Sequence, residues 1–139
     1  MQNLFVSPDD EFIVNFSVAI DKKENTIFCD LEKGSLTESL ESMGKDPSDF
    51  TLGEYQAIFK KPSFGDSMAI YSEIFSVDAE GVNFNPVVAR YNKISALIKS
   101  WNLKGKDEKP TDEEIKQLHP IIANAMGTMV DLETGGIFN

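Results

Sequence analysis

Between Glu11 and Ile20 apolar side chains fall on every second residue, Phe12, Val14, Phe16, Val18 and Ile20, with Asn15, Ser17 and Ala19 between them. Alternation with period two is the signature of a strand buried on one side. The polar run 21–25, DKKEN, reads as a turn, and the following TIFCDL places Ile27, Cys29 and Leu31 on one side of a second strand. Together they predict an antiparallel hairpin at the start of the chain.

The pattern then changes period. Leu36 and Leu40, bracketed by Gly34 and Gly44, predict a short helix over 35–43. After the turn-forming DPSD at 46–49, Tyr55, Ala57 and Phe59 alternate with Gln56, Ile58 and Lys60, which predicts a third strand over 54–60 ended by Pro62. A helix from Thr51 is the competing reading. Ser63 with Asp66 three residues later reads as a helix start, and Met68, Tyr71 and Phe75 with Ile70, Ile74 and Val77 keep helical spacing to about 76.

Residues 78–84, DAEGVNF, have loop composition, and their acids do not fit the spacing of a twelve-residue calcium loop. Asn85-Pro86 is the strongest helix start, because Asn accepts from a free amide and Pro at the first helical position has no donor to lose. Val87, Tyr91, Ile94, Ile98 and Trp101 follow in steps of four and three, so the helix is expected to run through Trp101. A charged linker at 102–110 leads to Thr111-x-x-Glu114, a capping box with an acidic first turn. Ile115 and Leu118 face inward until Pro120, which kinks that helix or starts a new one carrying Ile121, Ile122, Ala125, Met126, Met129 and Val130. The last residues, 132–139, read as a tail.

The expected fold is therefore α+β: a small antiparallel sheet, built from the N-terminal hairpin plus one strand, packed with about four amphipathic helices. A chain of 139 residues makes one core, here 1–131, rather than two. Ten Phe, three Tyr, one Trp and 41% apolar residues give it the means to fold despite a net charge of −10.

That charge repels a phosphate backbone, and Lys22-Lys23 and Lys60-Lys61 are only pairs, so neither nucleic acid nor an anionic membrane is an expected partner. The lone Cys29 excludes an internal disulfide and any zinc site needing two thiolates, and reads as a small inward-facing hydrophobe. No stretch approaches the roughly 20 apolar residues that span a bilayer, and residues 1–20 lack the basic start and apolar run of an export signal. His119, the single histidine, precedes a proline with no serine or cysteine beside it, which favours a structural role over a catalytic one. Gly135-Gly136 lacks the Lys-Ser/Thr of a phosphate-binding loop. No reaction, metal or cofactor is expected, and surfaces are left as the means of action.

Two phrases carry a resemblance. In AIFKKPSFGD at 57–66 a strand ends in basic residues and Pro-Ser before a helix. In ALIKSWNLKGKDEKPTDEEIKQLHPIIANAM at 96–126 a helix ends at Trp101-Asn102-Leu103, a charged linker follows, and Thr111-x-x-Glu114-Ile115-x-x-Leu118 opens the next helix. Over roughly 54–131 this order resembles the tail assembly chaperones of long-tailed bacteriophages. The resemblance implies a non-enzymatic protein in the host cytoplasm that binds tape measure protein, keeps its apolar helices soluble and helps recruit tail tube subunits. It also implies that Tyr91, Ile98 and Trp101 are core and that the last helix with its tail, through Ile122, Met126, Met129, Ile137 and Phe138, is the contact region, whereas the helical stripe that holds Met126 and Met129 by itself favours burial in the core. Self-association is compatible with it. Two other readings stand beside it: a structural tail or baseplate subunit, and an acidic inhibitor directed at a host protein.

Overall fold

The computed structural model describes residues 4–23, 26–31, 36–78 and 81–134, with backbone alone at 71 and 73–84. The alternating segment forms β1, Glu11–Asp21, with Phe12, Val14, Phe16 and Val18 all buried, but Ile20, the last of the expected series, is exposed while Ala19 is buried on the opposite side under α1. It turns back into β2, Ile27–Asp30, which pairs with β1 only from Ser17 to Ile20. Helix α1, Leu36–Ser42, follows, then a 3-10 turn at Pro47–Asp49, where the Asp46 carboxylate accepts from the Ser48 N–H at 3.0 Å.

Strand β3, Phe50–Lys60, runs antiparallel to β1 along its whole length. It starts four residues before the expected 54, because Phe50 is buried on the far side of the sheet and draws 50–53 into register with 18–21. Helix α2, Phe64–Ile74, is next, and 75–84 is an antiparallel ribbon, β4 (Phe75–Asp78) with β5 (Gly81–Phe84), where sequence suggested a helix end and a loop. Residues 79 and 80 lie outside the described set.

Asn85 caps α3, Pro86–Leu97, as expected, its side chain accepting from the N–H groups of Val87 and Val88 at 3.0 and 3.2 Å. The helix does not reach Trp101. At Ile98 the chain becomes extended while the Ile98 N–H still donates to Ile94 O, and β6, Ile98–Trp101, joins the sheet beside β3. The register shifts between Ile58 and Phe59, with Phe59 opposite Ile98 and Ile58 opposite Ser100. A bulge of this kind lets residues three apart share one side of a strand. Ile98 and Trp101 are both buried, which is the spacing a helix would also produce.

The chain ends in α4, Asp112–Lys116, whose Thr111–Glu114 capping box forms in full, and α5, Pro120–Thr134. Pro120 thus starts a new helix, and that helix runs through Leu132, Glu133 and Thr134, which sequence assigned to the tail.

The sheet order is β2-β1-β3-β6, all neighbours antiparallel. On one side Phe12, Val14, Phe16, Val18, Ala57, Phe59, Ile98 and Trp101 meet Ile94 and Leu97 of α3, Ile115 of α4, and Met126 and Val130 of α5 in one core. On the other side a smaller cluster, Ala19, Leu36, Leu40 and Phe50 with Phe28 against it, holds α1 to one end of the sheet. Helices α3 and α5 touch at Gly127, where a Cβ would stand 2.5 Å from the Cγ and Cδ of Arg90. That contact outweighs the helix propensity lost by having glycine there. On either side of it Arg90 donates to Asn124 at 2.7 Å, and buried Lys93 pairs with Asp131.

Candidate protein-binding surfaces

Helix α5 turns Met126 fully into the core beside Val130, and Ile122 and Met129 are half-buried against the same cluster. Met126 is therefore core, as its stripe favoured, and not part of the contact region that the resemblance implied: this side of α5 covers the sheet. Ile137 and Phe138 lie outside the described residues. His119 is exposed, and its Nδ1 accepts from the Ile121 N–H at 3.2 Å, so the imidazole serves the start of α5. Cys29 is half-buried among apolar neighbours, and burial, then the charge of Asp30, pushes its thiol pKa up. A thiol held protonated is a poor nucleophile.

Among the described residues, depressions that carry polar side chains include three. Two lie on the sheet side that α1 leaves partly open: one of 140 Å³ includes Asn15, Ser17, Glu54, Gln56 and Asn102, and one of 350 Å³ lies between Leu36 and Thr37 of α1 and Ser17, Leu52 and Glu54. Asn102 ties the first together, its side chain accepting from the Gln56 N–H at 2.8 Å. The third, 230 Å³, has Trp101, Leu103 and Leu118 as its apolar part and the Lys104–Glu114 ion pair beside them. The Lys104 ammonium and then the Thr111 N–H hold the Glu114 pKa below the usual carboxylate value. An acid kept ionised in this way has no proton to give near neutrality. Among the described residues no group of three or more His, Cys, Asp or Glu is placed to hold a metal.

The clearest free apolar surface is on α2. Phe64 is 83% and Met68 58% exposed, one helical turn apart and so on the same side, while Ile70 faces the core. Sequence put Met68 on the inward stripe with Ile70, but 200° of helical rotation separates two residues that are two apart (roughly 100° per residue). The signal available was Phe64 and Met68 at i and i+4, off the line of Ile70 and Ile74. Ile13 and Leu52 are also about half exposed, on the open side of the sheet.

The start of α2 is fixed by a reciprocal cap. The Ser63 N–H donates to Asp66 at 2.9 Å, the Asp66 N–H donates to Ser63 Oγ at 3.1 Å, and Lys60 reaches the same carboxylate at 3.0 Å. The Ser63 N–H first, and Lys60 second, lower the Asp66 pKa. A carboxylate whose folded pKa is depressed adds stability above its unfolded pKa, near 3.9, and loses it as pH falls through the folded value. Asp66→Asn is therefore expected to lower stability at pH 7 and to flatten the loss of stability below about pH 4, read from urea denaturation at a series of pH values. An acid limb identical to that of the unaltered protein would refute this role.

The chain was compared with known proteins. No family model, curated protein or solved structure matches it.

Proposed function

We propose that this protein acts by binding other proteins, and specifically as a tail assembly chaperone of a long-tailed phage that holds tape measure protein in solution while the tail tube is built. The observation that carries the reading is the outward side of α2, where Phe64 and Met68 project from a chain of net charge −10. Exposed apolar side chains at i and i+4 are the complement of an amphipathic helix, and methionine adapts to varied partners. A surplus of negative charge keeps such complexes apart from one another. The open side of the sheet, with Ile13 and Leu52, gives a second apolar area. Among the described residues no helix is long and apolar enough to cross a membrane.

The test replaces the surface and leaves the core alone. The double variant Phe64→Ser, Met68→Ser is expected to keep its stability within about 0.5 kcal/mol, as exposed sites do, while losing capture of tape measure protein in pull-downs from infected cells. Full capture by the double variant would reject α2 as the contact. Stoichiometric amounts of the protein in purified particles would reject the chaperone reading in favour of a structural subunit.

A further inference from the structure

Strand β1 is eleven residues long, but β2 covers its outer edge only from Ser17 to Ile20. Asp30 is opposite Ser17, no described residue after it pairs with β1 at that edge, and Leu36 at the start of α1 lines the depression beside Ser17. Hydrogen-bond parity identifies the groups left over. The Asp21 N–H donates to Thr26 O, so odd residues of β1 point toward β2, and the Lys61 N–H donates to Asp10 O, so even residues point toward β3. Glu11, Ile13 and Asn15 therefore turn their N–H and C=O groups outward, and among the described residues no backbone group pairs with them.

Open edges are ordinarily blunted by Pro, Lys, a bulge or brevity. Residues 11–16, EFIVNF, contain neither Pro nor Lys, and they pair with β3 in unbroken register. Phe12, Val14 and Phe16 are already buried under the helices, so a strand added here needs no new core on that side.

We infer that this edge pairs with the same edge of a second copy, about a two-fold axis at Ile13, making one continuous antiparallel sheet across both chains. The register is self-complementary. Ile13 meets Ile13 of the other copy, Asn15 meets Glu11, and every outward N–H and C=O of the three residues finds a partner. Within the paired stretch 11–15 no carboxylate faces a carboxylate, and Ile13, 49% exposed in the single chain, is covered. An axis at Val14 would set Glu11 opposite Ser17, which β2 already covers, and one at Phe12 would set Asn15 opposite Asp9, outside the strand. The inference is independent of which protein the chain binds through α2.

Sedimentation of the full chain from micromolar to millimolar concentration tests it. A monomer–dimer equilibrium is expected, tightened by added salt because two chains of charge −10 repel. Ile13→Lys, which sets two ammonium groups on the axis, is expected to weaken the dimer about tenfold or more. Asn15→Lys is expected to tighten it about three- to tenfold by facing Glu11 of the other copy, and Asn15→Glu to weaken it by a similar factor. Ser42→Lys, on the exposed side of α1, makes the same change in net charge as Asn15→Lys away from the junction and is expected to tighten it less. A protein that stays monomeric at millimolar concentration in high salt overturns the proposal. So does a dimer indifferent to Ile13→Lys, or one that Asn15→Lys and Asn15→Glu shift in the same direction.

Discussion

Phe59→Ala is expected to remove about 3–5 kcal/mol of stability, the range for emptying a buried aromatic site. Phe59 is fully buried at the middle of the molecule, stacked on Phe12 with ring centroids 5.4 Å apart and opposite Ile98 across the bulge. Its ring thus touches the packing of β1, β3 and β6 together, and no neighbour on a paired sheet can move far enough to refill the space. Folded domains have only about 5–15 kcal/mol in total, so the variant should melt roughly 10–20 °C lower and be part-unfolded in mild urea. The control is Phe64→Ala. The same residue type, 83% exposed, is expected to change stability by less than about 0.5 kcal/mol. Equal effects at the two positions would refute the placement of both.

Met126→Ala carries the second large effect, about 2–5 kcal/mol. Met126 has no exposed surface and sits with Val130 on the side of α5 that covers the sheet. Leu132→Ala, in the same helix but 71% exposed, should stay within about 0.5 kcal/mol. The pair separates two roles for α5. If Met126→Ala left the melting transition unchanged and weakened capture of a partner, the methionines would be a contact surface. Loss of stability in the isolated protein makes Met126 a core residue.

What could be read from the sequence was the part that local chemistry decides. The alternation in β1 from Phe12 to Val18, the Asn85 cap before Pro86 and the Thr111–Glu114 box each depend on residues within a few positions of one another, and each appears as expected. What could not be read depends on distant partners. Ile98 and Trp101 share a side three residues apart whether they lie on a helix or on a bulged strand, and only the pairing with β3, some forty residues earlier in the chain, decides between them. Val77 and Val82 pair within the β4–β5 ribbon although the intervening acids and glycine suggested a loop. Met126 shows the same limit at the level of a site. A helical stripe reveals that one side is apolar, and the sheet beneath it decides whether that side is covered or free.

The division of the apolar residues between the two sides of the sheet bears on how the molecule opens. Among the described residues the cluster under α1 has four buried members, Ala19, Leu36, Leu40 and Phe50, where the opposite side has fifteen. Helix α1 spans seven residues, too few to persist alone in water. Its undocking should therefore be a separate, low-energy excursion that leaves the larger cluster intact, in the manner of sub-global unfolding units. During each such excursion Leu52 and Ser17, and the depression between them, would be uncovered. In amide exchange the segment 36–42 would then lose its protection well before the central residues of β1 and β3.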